Sequence, residues 1–377
     1  MTMSQRIIRP KRHSISSGVE DQIGLRSSAR RLKLMPELVI AGRRIGPAHP
    51  PLVIAEIGIN HEGDVDKAIR MVNEAAARGC ECVKFQTHVI EDEMIPNSVI
   101  PVHATESIWD IMTRCALTEQ EEARLKRHAE SKGVIFLSTP FSRAAADRLE
   151  KLGVAAYKIG SGECNNYPLV EHIAAFGKPV ILSTGMNDLA SVGRSVEIFR
   201  RHAIPFALLH CTSMYPTPYS AVRLGALRQL TDAFPDAVIG LSDHSAGNYP
   251  CFGAVALGAS ILERHFTSNK AWPGPDMAIS MTPEELQQLV EGSRAVSEAL
   301  GGSKEILAGE ETTITFAYAS VVALRDIVAG ETLTLENTWV KRPGTGDIRA
   351  QDLPLVLSRR ALKDVKKDEQ LQWAWLQ

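Results

Sequence analysis

Between residues 52 and 264 the chain repeats one pattern, a short apolar run followed by a longer amphipathic segment. Continuous apolar runs of this length are typical of parallel strands that are buried on both faces of a sheet. There are eight such runs, at residues 52–57, 82–86, 134–139, 155–160, 179–184, 206–211, 237–242 and 260–264. The segments between them have the length of helices, and several end in a glycine, as helices commonly do. Eight strand–helix units predict a (β/α)8 TIM barrel.

An open, doubly wound α/β sheet is the alternative fold for alternating strands and helices. The count of eight and the lack of a GxGxxG turn in the sequence both weigh against it. In front of the barrel, residues 38–46 predict a small β-hairpin with Gly42 near its turn, placed to plug the amino-terminal end of the barrel. We therefore expect the barrel domain, including this hairpin, to span residues 38–302.

Charge and cysteine content limit the partners and the compartment. The 42 Lys and Arg residues nearly balance 44 Asp and Glu residues, so neither nucleic acid nor a membrane is expected as a partner. The six cysteines form no CxxC pair and lie in apolar segments, as buried thiols in a reducing compartment do, which predicts a cytoplasmic enzyme. Residues 1–37 carry eight Lys and Arg residues without an apolar period and predict a loosely ordered basic extension.

Every predicted barrel strand ends in polar or charged residues. The carboxyl ends of barrel strands meet at one rim, where the active sites of such enzymes lie. The residues are Glu56 and Asn60; Lys84 and Gln86; Ser138 and Thr139; Lys158, Ser161 and Glu163; Ser183 and Thr184; His210 and Thr212; Asp243 and His244; Glu263 and His265. A single polar strand end needs no explanation beyond solvent contact, whereas eight that converge predict a ligand site.

Two neighbouring strands of this rim end in histidine, His244 and His265. Each has an acidic neighbour, Asp243 or Glu263, and two imidazoles with carboxylates nearby suit a divalent transition metal with open coordination positions. Taken singly, either histidine is better explained as a hydrogen-bonded residue at a strand end. The matched pair favours a metal site.

Two lysines, Lys84 and Lys158, are expected to face one pocket, with Ser161 and Ser183 nearby. The segment 158–163, KIGSGE, offers a cation, glycine-freed backbone amides and a hydroxyl, which suit a small ligand with phosphate or carboxylate groups. Lys158 could instead form an imine, as in class I aldolases, although a metal at the rim argues against that route. Five carboxylates are candidate general acids or bases: Glu56, Glu163, Glu263, Asp243 and Asp276.

Nine segments together resemble the sialic acid synthases, the phosphoenolpyruvate-condensing synthases of nine-carbon keto sugars. They are residues 54–64, 83–88, 136–142, 157–169, 181–186, 208–218, 239–244, 263–266 and 274–276. The resemblance covers about residues 40–377 in order. It implies condensation of phosphoenolpyruvate with N-acetylmannosamine and water to give N-acetylneuraminate and phosphate, with C–O cleavage. It also implies a divalent metal, with Mn²⁺ expected and Mg²⁺ or Co²⁺ as alternatives.

The resemblance assigns roles to individual positions. His244 and His265 match the metal ligands, and Glu56 matches the acid near the phosphate and the attacking water. The positions that match phosphoenolpyruvate contacts are Lys84, Thr139, Lys158, Ser161 and Ser183. The positions that match the surroundings of the amino sugar are Gln86, Glu163, Tyr215, Glu263 and Asp276. Of all these, Glu56, Glu163, Glu263 and His265 are the predicted catalytic residues.

Two positions depart from the family pattern. Ser213 stands where the family often has an asparagine that contacts phosphoenolpyruvate, so a hydroxyl or a water is expected to replace the amide there. Phe85 stands where some members carry histidine. The segments 91–96 and 163–168 look most like the free-sugar type, and a legionaminic or pseudaminic acid synthase that uses a diacetamido sugar is the alternative.

Beyond residue 302 the composition changes. Residues 303–317 predict a linker, and short β-type runs follow at 318–324, 338–344 and 371–376. Residues 326–333 echo residues 364–371, which predicts internal pseudo-symmetry. Residues 318–377 resemble the antifreeze-like (SAF, β-clip) domain of sialic acid synthases. The resemblance implies a domain-swapped homodimer in which Arg342 completes the partner's sugar site, with Phe316 in the same neighbourhood.

Overall fold

The computed structural model describes residues 35–101 and 104–377. The predicted basic extension, residues 1–37, therefore lies outside the described residues except for its last three positions. The chain divides into two compact units, residues 1–301 and 302–377. Among the described residues, no helix has both the length and the apolar character needed to cross a membrane.

Eight parallel strands form the centre of the first unit. They are β3 (Leu52–Gly58), β4 (Cys82–Thr87), β5 (Ile135–Pro140), β6 (Tyr157–Ile159), β7 (Val180–Ser183), β8 (Phe206–Cys211), β9 (Val238–Ser242) and β10 (Ile261–His265). Their order in the sheet is β5-β4-β3-β10-β9-β8-β7-β6. The end strands β5 and β6 lie next to each other, so the sheet curls round into a ring. The predicted (β/α)8 fold is confirmed, because each apolar run forms a strand within about two residues of its predicted bounds.

Helices follow the strands on the outside of the ring. They are α1 (Val65–Ala77), α2 (Ile90–Glu93), α3 (Ile108–Cys115), α4 (Glu119–Ser131), α5 (Arg143–Leu152), α6 (Tyr167–Ala174), α7 (Leu189–Arg201), α8 (Tyr219–Val222), α9 (Ala226–Ala233), α10 (Tyr249–Ala256) and α11 (Pro283–Ala299). Thr118 and Thr282 begin α4 and α11 with capping boxes, in which threonine and a glutamate three residues on satisfy each other's backbone N–H groups. These local signals fix where the outer helices start.

A β-hairpin precedes the barrel, as predicted. Its strands are β1 (Leu38–Ile40) and β2 (Arg43–Ile45), with Gly42 at positive φ in the turn. The side chains of Leu38, Ile40 and Ile45 are buried in one cluster with residues that start the barrel strands. The hairpin therefore closes the amino-terminal end of the barrel and leaves the carboxyl ends of the strands to form the site.

The second unit begins with a 3₁₀ turn at Ala308–Glu310 and α12 (Glu311–Ala317), inside the predicted linker. Strands β11 (Ser320–Ala323) and β12 (Thr338–Lys341) pair antiparallel, and a 3₁₀ turn at Ala350–Asp352 leads into α13 (Leu353–Val356). The prediction of a β-run at 371–376 was wrong over Trp373–Trp375, which form a 3₁₀ turn. Contacts between residues distant in sequence shape this segment, and the Lys363 ammonium lies 3.8 Å from the Trp375 ring centre.

The predicted pseudo-symmetry is present in the backbone contacts of the second unit. Ile327 and Val365 exchange both of their N–H···O bonds, at 2.9 and 2.8 Å. The Asp326 carboxylate accepts from the Lys367 N–H at 2.9 Å, and the Asp364 carboxylate accepts from the Ala329 N–H at 2.8 Å. Equivalent groups of the two halves thus bind each other, which explains why the two segments repeat the same residues.

Candidate active site

Four charged side chains are buried at the carboxyl ends of β3, β4, β6 and β10. The Lys84 ammonium lies 2.6 Å from Glu56 Oε2 and 3.8 Å from Glu263 Oε1. The Lys158 ammonium lies 3.6 Å from the same Glu263 oxygen. None of the four residues is more than 5% exposed. Two positive and two negative charges can be buried this deeply because each lies beside an opposite charge.

Burial and pairing shift the pKa values of this cluster in different directions. Burial raises the pKa of Glu56 to about 7, against the attraction of Lys84. Burial also opposes ionisation of Glu263, yet Lys158 and Lys84 together hold its pKa below the ordinary value. Burial lowers the pKa of Lys158, while Glu263 and Glu56 outweigh burial and raise that of Lys84. Lys84 is therefore the firm cation of the cluster, and Glu263 is its firm anion.

Hydroxyl groups surround the two lysines. Lys84 donates to Thr139 Oγ1 at 3.1 Å, and Lys158 donates to Ser183 Oγ at 2.7 Å. Ser161 Oγ accepts from the Gly185 N–H at 3.0 Å, which fixes the loop after β6 against the loop after β7. The predicted phosphoenolpyruvate contacts are thus brought together by four different strand ends.

Glu163 folds back over the glycine-rich loop after β6. A Cβ atom at residue 160 would lie 2.5 Å from Glu163 Oε2, so only glycine leaves room for this carboxylate. Glu163 Oε2 is buried and has no hydrogen-bond partner among the described residues. Burial raises the pKa of Glu163 to about 7. The sequence KIGSGE is therefore built around a carboxylate that lacks a protein partner.

The two rim histidines face each other. The rings of His244 and His265 are 5.4 Å apart, and the Tyr215 ring stacks on His244 at 4.2 Å. His244 Nδ1 lies 3.0 Å from the Thr212 carbonyl oxygen, so Nδ1 carries the proton and Nε2 keeps its lone pair. His265 Nδ1 lies 3.6 Å from Asp276 Oδ2 and, within the described part of the chain, has no hydrogen-bond partner. Burial lowers the pKa of His265 well below its ordinary value, which keeps this ring neutral.

A metal site cannot be recognised here from protein ligands alone. In residues 35–101 and 104–377, no group of three or more His, Cys, Asp or Glu side chains is arranged to hold a metal ion. Two imidazoles remain, those of His244 and His265, and both line the same cavity. Further ligands would have to come from substrate or water.

Two cavities meet at the barrel mouth. We call the first, of about 370 Å³, the inner cavity; it is lined by the charged cluster, the hydroxyls, Glu163 and the two histidines. The second, of about 720 Å³, we call the outer cavity; it is lined by Ile59, Ile108, Ile111, Met214, Pro275 and Asp276 among others. Four residues line both cavities: Gln86, Met112, Ser213 and Tyr215. Burial raises the pKa of Asp276, on the outer side, to about 6.

The structure brings fourteen of the sixteen predicted site residues to these two cavities and leaves two elsewhere. Phe316 and Arg342 belong to the second unit, where both are exposed. Apart from two glycines, five residues of the inner cavity were not predicted: Met112, Phe141, Met186, Cys211 and Ser242. Ser242 and Cys211 are the last residues of β9 and β8 and of the predicted runs, so including the final residue of each run among the rim residues would have found them. Met112 lies on a helix outside the strand pattern and gave no signal.

Known proteins resemble this chain over most of its length. Residues 71–305 match the NeuB family, and residues 318–377 match the SAF domain. The N,N'-diacetyllegionaminic acid synthase of Campylobacter jejuni is 36% identical, covering 84% of this chain and 98% of that protein. The N-acetylneuraminate-9-phosphate synthase of Homo sapiens is 33% identical, covering 87% of this chain and 93% of that protein.

Solved structures give the same result. The N-acetylneuraminic acid (sialic acid) synthetase of Leptospira borgpetersenii, crystallised with citrate, superposes with a TM-score of 0.68 at 33% identity. The superposition covers 74% of this chain and 96% of that one. Sequence and fold agree on the assignment that the barrel and its charged mouth suggest. The chain belongs to the NeuB family of sialic-acid-type synthases and carries a SAF domain at residues 318–377.

Proposed function

We propose that this protein condenses phosphoenolpyruvate with N-acetylmannosamine and water to form N-acetylneuraminate and phosphate. The observation that carries the proposal is the inner cavity, where Lys84 and Lys158 lie among hydroxyl groups beside two histidines. Two ammonium groups in one small cavity suit a ligand with both a carboxylate and a phosphate group. Family membership supports the same reaction class.

The lysines and hydroxyls would hold phosphoenolpyruvate. Lys158 and Ser183, with Lys84 and Thr139, form two cation–hydroxyl pairs on neighbouring sides of the cavity. Ser161 and Ser213 add hydroxyl groups to the same wall. Fixing both anionic ends presents C3 of the enol to the sugar aldehyde, and C3 forms the new carbon–carbon bond. Positioning of this kind converts an encounter of two substrates into a step within one complex.

His244 and His265 fit a divalent metal. Both rings line the inner cavity, His265 has a buried nitrogen without a hydrogen bond, and the Thr212 carbonyl leaves the second nitrogen of His244 free. When bound, an ion such as Mn²⁺, or Mg²⁺ or Co²⁺, supplies Lewis-acid polarisation of the aldehyde oxygen. Second contacts such as the one from Thr212 orient a metal-binding ring and fix its tautomer.

Carboxylates would handle the protons. Glu56 lies 2.6 Å from Lys84 and accepts a hydrogen bond from Gln86 Nε2 at 3.3 Å, which orients it toward the cavity. There it can take a proton from the water that adds at C2, after which the C2–O bond breaks and phosphate leaves. Glu163 and Glu263 are the remaining acid–base candidates, and Asp276 and Tyr215 would contact the sugar from the outer side.

A diacetamido sugar is the second candidate substrate, which would make the enzyme a legionaminic or pseudaminic acid synthase. The specific observation in its favour is the apolar lining of the outer cavity, which can accept methyl groups. A pyruvate lyase that uses Lys158 as an imine-forming amine is a weaker alternative, because the Lys158 ammonium is tied to Ser183 and Glu263.

The test is a substrate panel with phosphate as the readout. Purified protein receives Mn²⁺ and phosphoenolpyruvate with N-acetylmannosamine, its 6-phosphate or a diacetamido sugar. Phosphate release with N-acetylmannosamine, carrying ¹⁸O from the bridging position of labelled phosphoenolpyruvate, is the expected result. Release with the diacetamido sugar alone would replace the first substrate by the second. Borohydride trapping of a pyruvate adduct would favour the lyase.

We also propose the domain-swapped homodimer in which Arg342 reaches the sugar site of the partner chain. In the second unit Arg342 is exposed and lines a surface pocket of about 760 Å³ with Lys341 and Trp375. A mixture of Arg342→Ala and His265→Ala chains tests it, because each mixed dimer would contain one intact site. Activity that returns on mixing supports the swap, and a mixture as inactive as its parts refutes it.

A further inference from the structure

A buried histidine lies directly behind Gln86. The His88 side chain is 1% exposed and is held between two acceptors. Its Nδ1 lies 2.7 Å from Glu93 Oε2, and its Nε2 lies 3.1 Å from Gln86 Oε1. The ring also stacks on Phe141 at 4.7 Å with an interplanar angle of 13°. Both nitrogens and one face of this imidazole are therefore engaged.

These contacts determine which way the Gln86 amide points. Both ring nitrogens of His88 face oxygen atoms, and an amide oxygen only accepts, so the nitrogen that faces Gln86 Oε1 is a donor. The amide oxygen then accepts from His88, and the amide NH₂ donates to Glu56 Oε1. Turning the amide over would set its NH₂ against the ring N–H and its oxygen against the Glu56 carboxylate.

Gln86 lies at a position where the orientation of its amide is important for contacts with substrates. It lines both the inner and the outer cavity, at the boundary where two substrates would meet. Among the described residues that line these two cavities, neither His88 nor Glu93 appears. Glu93 instead lines a separate cavity of about 300 Å³ on the other side of Phe141. The hydrogen bond from His88 to Gln86 and the stacking of His88 on Phe141 are the contacts that join this pair to residues of the inner cavity, and only Gln86 lines the outer cavity as well.

We propose that His88 and Glu93 are positioning residues that hold the Gln86 amide in one orientation and thereby set the affinity for the amino sugar. The inference rests on the proposed function. A site that is built to hydrogen-bond a sugar hydroxyl loses affinity when a donor and an acceptor exchange places. Phosphoenolpyruvate, held by the lysines and hydroxyls, does not depend on the direction of this amide.

The experiment is a double-mutant cycle on kinetic constants. His88→Gln is expected to raise the KM for the amino sugar about tenfold and to leave the KM for phosphoenolpyruvate within about twofold. Glu93→Gln is expected to raise the KM for the amino sugar about threefold. In a Gln86→Ala background, His88→Gln should change the KM for the sugar by less than about twofold, because the side chain it positions is gone. Glu91→Gln, an exposed carboxylate on the same short helix, is the matched control and should change nothing.

Each outcome decides a different question. The inference would be overturned if the effects of His88→Gln and Gln86→Ala on the KM for the amino sugar multiplied. It would also be overturned if His88→Gln changed the KM values for both substrates equally. Either result would leave the proposed function standing. Wild-type protein that releases no phosphate with any amino sugar would overturn the proposed function and this inference with it. If His88→Gln does not fold, the cycle of Glu93→Gln with Gln86→Ala carries the same test.

Discussion

The inner and outer cavities share a wall and differ in chemistry. The inner cavity buries four charges, several hydroxyls and two imidazoles, whereas the outer one is lined mainly by aliphatic side chains. Buried charges need partners at fixed distances, so such a cavity accepts one arrangement of ligand charges. An apolar wall discriminates weakly between ligands that differ by a methyl group. The inner cavity is thus the rigid half of the site, suited to a substrate that stays the same. The outer cavity is the tolerant half, suited to a sugar that can vary.

Of the changes considered, removal of the metal should lower the reaction rate the most. It acts on the inner cavity alone. Treatment with a chelator is expected to lower kcat by about a thousandfold or more, since Lewis-acid polarisation contributes several kcal/mol. Mn²⁺ should restore the rate in wild type and fail to restore it in His265→Ala, whose neutral imidazole lines the cavity. Phosphate release and Mn²⁺ binding by calorimetry measure the two effects separately. Chelator-resistant turnover would remove the metal from the proposal.

Lys158→Met should come next in size. The change leaves Glu263 with one ammonium neighbour instead of two and removes the donor to Ser183. Removing one partner of a buried, hydrogen-bonded charge pair costs about 2–5 kcal/mol of binding free energy, so kcat/KM for phosphoenolpyruvate should fall by about 30-fold to 5000-fold. Lys178→Met is the matched control, because the Lys178 ammonium pairs with Glu150 at the surface and its loss should change the rate less than twofold. Similar losses in both variants would contradict the special role of the inner lysine.

Glu163 lies inside the inner cavity and Glu122 lies outside it, and the pH dependence of stability can be compared between variants of the two. Burial raises the pKa of Glu163 and of Glu122 to about 7, above the ordinary value of 4.5. Because the native state then binds these protons more tightly than the unfolded chain does, their stability contribution is full below about pH 4.5 and is lost as pH rises through 7. Glu122→Gln and Glu163→Gln should therefore stabilise the protein at pH 8 by about 1–3 kcal/mol each and have almost no effect near pH 4.5.

Activity separates these two variants. Glu122 lies on α4 under Arg148, whose Nη1 is 3.6 Å away, so Glu122→Gln should leave the rate within about twofold of wild type. Glu163 lines the inner cavity, so Glu163→Gln should lower kcat about tenfold or more while raising Tm at pH 8. Thermal unfolding at the two pH values and initial rates at pH 8 provide the measurements. A fully active Glu163→Gln enzyme would remove this carboxylate from the acid–base candidates.

The rigid half was easier to predict from sequence than the tolerant half, for a physical reason. Lys84 and Lys158 lie within apolar runs, and parallel strands bring their carboxyl ends to one place, so local patterns located them. The pairing itself, such as Lys84 with Glu56 at 2.6 Å, depends on the stagger of neighbouring strands, which the sequence does not display. Met112 and Ile108 come from a helix in a long connection, where no period constrains position. The contact of His88 with Glu93 was not predicted, because it too depends on tertiary structure and not on a local pattern. For the same reason the β-run predicted over Trp373–Trp375 was wrong, since tertiary packing places these residues in a 3₁₀ turn.

The smallest expected effect lies in the outer cavity and tests its tolerance directly. Ile108, the first residue of α3, lines the outer cavity only. Ile108→Ala widens an apolar wall, so the KM for the amino sugar should rise about threefold to tenfold while the KM for phosphoenolpyruvate stays constant. Ile95→Ala is the control, since Ile95 is 81% exposed and its loss should change neither constant. If Ile108→Ala lowered kcat for every sugar alike, the outer wall would be part of the catalytic geometry, and the division into a rigid and a tolerant half would have to be abandoned.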